Sequence, residues 1–128
     1  MAENEDNSGK EKRESFRLKY QINDRPKIKL TPSNYGPREN KGIFSYEVVD
    51  ISECGIRFLY TGGMVENPVN GLIHLHSAEP QEFSAKIVRV QDNQICLMLE
   101  EPIALGVLAK EQRYLFNKYG AIIEADEF

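Results

Sequence analysis

Cysteine is scarce: the 128-residue chain has two, Cys54 and Cys96, too far apart for a CxxC pair and too few for a disulfide framework or a four-ligand zinc site. Both are expected as buried or half-buried free thiols, and no motif supports a redox role for Cys54. Long hydrophobic runs are also missing. The longest, such as ICLML at Ile95 to Leu99, fall far short of a bilayer span, and the N-terminus is acidic and polar where a signal peptide would carry an apolar core. The expectation is a cytoplasmic protein without membrane insertion. Positive charge is in deficit, with a formal net charge of −4, whereas a domain that grips DNA or RNA through its phosphates is usually strongly basic. A DNA or RNA polymer is not an expected partner, and any anion site has to be local. Catalytic groupings are lacking as well. Ser52 lies in no nucleophile-elbow sequence, and no acid, base and nucleophile come together by motif, so an enzyme is not expected.

What is present suffices for one domain, because 41% hydrophobic content in a chain of this length can build a single core. Residues 1–11 are almost wholly polar and are expected as a disordered arm. The acidic residues 121–128 read as a frayed tail. From Phe16 the chain alternates strictly, with Phe16, Leu18, Tyr20 and Ile22 on one face and Arg17, Lys19 and Gln21 on the other. That is a half-buried strand whose Arg17 points away from the core. A segment rich in proline, glycine and asparagine follows, broken by the alternating KIKL of residues 27–30. The β-rich runs 43–50, 55–60, 71–77, 82–90 and 94–100 come next, bounded by turn residues, and suggest an antiparallel barrel or sandwich. The runs flanking Gln91, Asp92 and Asn93 form the clearest hairpin. The periodicity then lengthens: Leu105, Leu108, Leu115 and Tyr119 share a helical face that Gln112 interrupts, with Gly120 as C-cap. The spacing predicts one helix over about residues 103–119.

Two small motifs stand out. Lys12 to Arg17 reads KRESFR and contains an RxxxR pair at Arg13 and Arg17; arginine offers a rigid fork of donors suited to phosphate or to the acceptor edge of guanine. Alone, such a pair is equally ordinary solubilising charge. Further on, VVDISECGIRF contains Asp50 and Ser52 two apart, projecting to one side of an extended chain while Ile51 goes to the other. Gly55 follows as a position able to take positive φ and admit a ligand close to the main chain. Asp, Ser and Gly are also standard turn residues.

RxxxR at the start of the first strand, followed by DxSxxG at a strand-to-turn junction, resembles the PilZ family of bacterial cyclic di-GMP receptors. The resemblance extends over roughly residues 12–119, and both motifs are intact. It implies a six-stranded antiparallel β-barrel with a C-terminal helix within residues 12–120, and a flexible N-terminal arm that closes over a ligand held on the outside of the barrel. It further implies a non-enzymatic adaptor that binds the second messenger cyclic di-GMP, needs no other cofactor, and changes its surface for an unidentified effector protein in motility, attachment or polysaccharide secretion. Arg13 and Arg17 would serve the phosphates and the O6/N7 edge of guanine, Asp50 the guanine donor edge, and Ser52 with the main chain near Gly55 the floor. Lys12 and Arg57 are further candidate contacts. Lys12 supplies extra charge that, with Lys10 and Lys19, a stacked pair of ligand molecules would need.

Other classes remain in view. A PilZ-like barrel that engages proteins without binding nucleotide would use the same residues as turn and surface groups. His74 and His76 alternate on one strand face, as two metal ligands can, which would suit a metal-dependent hydrolase. No third ligand is evident, and with Ile73 and Leu75 facing the core, exposed histidines without metal are the simpler expectation. Arg57 and Arg89 are expected in surface salt bridges or in a second ring around a ligand.

Overall fold

The computed structural model describes residues 17–31 and 44–120. In chain order these form β1 (Leu18–Lys19), a 3-10 turn (Ile22–Asp24), β2 (Lys27–Thr31), β3 (Phe44–Ile51), β4 (Gly55–Leu59), β5 (Val69–His74), β6 (Gln81–Gln91), β7 (Gln94–Leu99) and α1 (Leu105–Tyr119). Hydrogen bonding runs β1-β3-β2-β5-β6-β7-β4, and β4 pairs back onto β3. The result is a closed six-stranded antiparallel barrel, with β1 as an extra strand laid on the outer margin of β3. Closure removes the free edges that an open sheet of this size would expose.

Alternation explains why these segments are strands. Ile28 and Leu30 of β2, Ile56 and Phe58 of β4, and Ile95, Leu97 and Leu99 of β7 all point inward and are buried. With Tyr46, Val48, Ile51, Val69, Ile73 and Ala85 they make one continuous core, each large aliphatic or aromatic side chain contributing about 1.5–3 kcal/mol by leaving water. The β6–β7 hairpin turns through Asp92 and Asn93, whose φ values of 53° and 65° are those of a two-residue type I′ turn. At Gly71 the barrel wall is so tight that a Cβ would lie 2.1 Å from the carbonyl oxygen of Lys29.

The helix differs in detail from its predicted face. It begins at Leu105, which is 69% exposed, and buries Leu108, Glu111 and Leu115. The break in the apolar stripe is therefore Glu111, and Gln112 beside it is half-buried. Gly120 caps the helix in the left-handed conformation (φ 78°), its N–H donating to the carbonyl of Phe116. Ile22, expected on the core face, is 73% exposed. The strand stops after Lys19, and Ile22 is itself the first residue of the 3-10 turn, where strand alternation no longer applies. No helix among the described residues is long and apolar enough to cross a membrane.

Candidate functional site

The site begins with an irregularity in β3. The pairing Val48↔Phe58 is followed by Asp50↔Arg57, which leaves Val49 as the extra residue of a bulge. The bulge shifts the phase of the strand. Val48 and Ile51, three apart, both join the core, and Asp50 between them faces the outer wall beside Arg57. On the other flank β1 pairs with β3 through Leu18↔Ile51 and Lys19↔Asp50, which carries Arg17 to the same carboxylate. Arg17 Nη1 donates to Asp50 Oδ1 at 3.0 Å, and Arg57 Nε lies 3.6 Å from Asp50 Oδ2. The carboxylate is 1% exposed, while the Arg17 and Arg57 side chains are 38% and 31% exposed. Burial pushes the Asp50 carboxyl above the ordinary aspartate range, and the charges of Arg57 and then Arg17 pull against that rise. Arg57 Nε is buried with no hydrogen-bond partner among the described residues.

Three expectations change here. Arg17 leaves the core face, as its place in the alternation predicts, but it is held in an ion pair with Asp50. Gly55 does not take positive φ; among the described glycines Gly62, Gly63 and Gly120 do. Space at Gly55 is tight on one side, since a Cβ there would meet Ser52 Oγ at 3.3 Å and touch the carbonyl of Leu97 at 3.4 Å. Ser52 is nearly buried, and its N–H donates to the carbonyl of Gly55 at 2.9 Å, closing the β3–β4 turn. Cys54, expected to be at least half-buried, is exposed at the tip of that turn, and Cys96 is half-buried. Arg13 and Lys12 lie outside the described residues, as do Lys10 and the whole of residues 1–11 and 121–128.

Register extends the site sideways. Lys19 pairs with Asp50, Asp50 with Arg57, Arg57 with Cys96, and Cys96 with Arg89. These residues form one row across β1, β3, β4, β7 and β6, containing Lys19, Arg57 and Arg89 against the single carboxylate of Asp50. Arg17 adds a further cation beside the row. A chain of net negative charge thus concentrates positive charge on one wall. Chemically, the wall offers guanidinium forks for an anion or a guanine edge and one carboxylate that can accept from a donor edge.

A second polar cluster, missed in the sequence, sits where α1 meets the barrel. Asp24 accepts from Tyr119 Oη at 2.6 Å, Lys118 Nζ at 3.0 Å and Tyr114 Oη at 3.1 Å. These bonds, led by that of Tyr119, hold its carboxyl at about 2. His76, expected to be exposed, is instead half-buried. Its ring stacks on Tyr114 at 4.7 Å, and its Nε2 lies 2.7 Å from the carbonyl oxygen of Asp24. His74 is also half-buried, and its Nε2 has no partner among the described residues. No group of three metal-ligating side chains occurs among the described residues. Glu111, at i+3 from Leu108 and i−4 from Leu115, was detectable as a carboxylate on an apolar stripe.

Neither protein-family models nor curated proteins match this chain.

Proposed function

We propose that the protein is a non-enzymatic receptor for cyclic di-GMP, which binds on the outer wall of the barrel and alters the surface offered to a protein partner. The reading rests on the resemblance to the PilZ family, and one observation supports it most. The pairing of β1 with β3 sets the second arginine of RxxxR against the aspartate of DxSxxG, at 3.0 Å across 33 residues of sequence. Arg17 takes phosphate or the O6/N7 edge of guanine, Asp50 accepts from the guanine N1 and N2 donors, and Ser52 with the main chain before Gly55 forms the floor. Arg57, whose buried Nε has no hydrogen-bond partner among the described residues, is a further ligand contact. Arg13 and Lys12 complete the cationic side. Titration calorimetry with cyclic di-GMP tests the reading. Arg17→Ala is expected to weaken binding by about 2–4 kcal/mol, because a charge-assisted contact is lost. Absence of any binding by the wild-type chain would overturn it.

One observation favours the second reading, a protein-interaction barrel that binds no nucleotide: Arg17 and Asp50 already satisfy one another. In that case the same titration gives no heat, and Arg17→Ala alters only stability.

A further inference from the structure

The buried face of α1 carries a carboxylate that takes no part in the wall site. Glu111 is 0% exposed, and both of its oxygens are engaged. Oε1 accepts from the N–H of Ser77 at 3.0 Å and from its hydroxyl at 2.5 Å. Oε2 accepts from the N–H of His76 at 3.1 Å and from the hydroxyl of Tyr20 at 2.7 Å. A carboxylate this deep persists only with such a donor set. Three of the four donors come from the turn that follows β5 and would by themselves fasten the helix. The fourth comes from the segment that bears Arg17 and Lys19.

Tyr20 is fastened at both ends. Its side chain is 4% exposed and reaches α1, while its N–H donates at 3.0 Å to the carbonyl of Val49, the bulge residue beside Asp50. β1 itself is only two residues long, so its ladder alone is a weak constraint on where Arg17 stands. The 3-10 turn just beyond Tyr20 is tied to the last turns of α1 by Tyr114, Lys118 and Tyr119 through Asp24.

We propose that Glu111 is a positioning residue for the wall site. It acts through Tyr20, which holds the β1 segment where Arg17 meets Asp50. The seating of α1 and the occupancy of the wall are then thermodynamically coupled, and by linkage the coupling is reciprocal. Ligand that pulls on Arg17 tightens α1, and a partner that grips α1 changes affinity at the wall. The ligand half of this inference rests on the cyclic di-GMP reading; the positioning half does not.

The experiment uses Tyr20→Phe, which keeps the buried ring and removes one hydroxyl, because Glu111→Gln places donors against donors and can fail to fold. Two readouts are taken on protein whose thermal melt shows it folded. The first needs no ligand: the Asp50 carboxyl is titrated by carbon NMR. If Tyr20 holds Arg17 in place, Tyr20→Phe moves the Asp50 titration upward, because a compensating cation is loosened. An Asp50 titration identical to wild type overturns the proposal. The second is cyclic di-GMP affinity in a double-mutant cycle with Arg17→Ala. Tyr20→Phe is expected to weaken binding by about 3- to 10-fold in the wild-type background and by less than about 2-fold once Arg17 is gone. Equal losses in both backgrounds would mean that Tyr20 does not act through Arg17, and would also overturn it. If the wild-type chain binds no cyclic di-GMP, the functional reading falls and the Asp50 titration alone decides the positioning role.

Discussion

Asp50 is held by two arginines and Asp24 by a lysine and two tyrosine hydroxyls, yet the two carboxylates contribute to stability with opposite sign. Asp50 is 1% exposed, and its carboxyl titrates above the ordinary range because burial outweighs Arg57 and Arg17. A raised folded value means that the folded state favours the protonated form. The associated stability is fully present below the ordinary aspartate value and is lost as pH rises through the folded value, so at neutral pH the ionised group opposes folding. Asp50→Asn is therefore expected to leave stability at pH 7 unchanged or higher by up to about 2 kcal/mol, because burying the ionised carboxylate costs more than its two partly solvated arginine partners return. The same variant is expected to lose cyclic di-GMP affinity. Thermal melts and titrations on one preparation check both halves, and a lowered melting temperature would contradict the account. Asp24 runs the other way. Its carboxyl is held at about 2 against an ordinary 3.8, first by Tyr119. Its contribution is present above the ordinary value and disappears as pH falls through the folded one. Denaturant unfolding at pH values between about 5 and 2 is expected to show a declining limb that Asp24→Asn flattens.

Element by element, the barrel's tolerance is set by a few close approaches. Gly71 sits on β5 between Leu30 of β2 and Phe83 of β6, and the obstacle 2.1 Å from its would-be Cβ is a main-chain carbonyl. Main chain inside a closed sheet cannot step aside as a long side chain can. Gly71→Ala is expected to cost about 2–4 kcal/mol, read from urea midpoints at unchanged slope. Such constraints mark the limit of what the sequence disclosed. Period-two alternation was enough for β2, β4 and β7, because each has one face in the core and one outside. Turn chemistry placed the hairpin at Asp92 and Asn93, and glycine placed the end of α1 at Gly120. The features that build the site are non-local. The Val49 bulge follows from how β3 pairs with β4, and the ion pair of Arg17 with Asp50 depends on strands 33 residues apart in sequence meeting. Gly55 is expected for backbone freedom, but it takes no positive φ, and a Cβ there would sit tightly, though not impossibly, against Ser52 Oγ. Ile22 left the core because alternation has no meaning across a 3-10 turn. Glu111 differs from these, since its place on the helical stripe is local, yet the sequence pattern assigns the break in that stripe to Gln112.

For the molecule as a whole, the decisive contrast is between a net charge of −4 and a wall on which Arg17 and Arg57 flank one carboxylate and Lys19 and Arg89 lie along the same row of strands. Overall repulsion disfavours polyanions, and on the cyclic di-GMP reading the local field is what would draw a small dianion to one place. At ordinary salt the screening length is about 8–10 Å, shorter than the row of strands, so the wall acts independently of the acidic remainder. A single cyclic di-GMP carries two phosphates, which two arginines can match. On the proposed reading, Lys12 and Arg13 of the arm would add to the wall cations and exceed that need, which would suit a stacked pair, in which four phosphate charges share one site and must be neutralised to sit together. The expected stoichiometry is therefore two ligands per chain. Affinity is expected to fall by about tenfold or more between low and high salt, since both attraction to the wall and relief of ligand–ligand repulsion depend on unscreened cations. Lys12→Leu, which removes one of those cations and no arginine, is expected to shift binding toward one ligand per chain without abolishing it. Titration at protein concentrations well above the dissociation constant reads the ratio directly. A ratio of one for the wild-type chain, with an affinity indifferent to Lys12→Leu, would mean that the surplus charge serves something other than a second nucleotide.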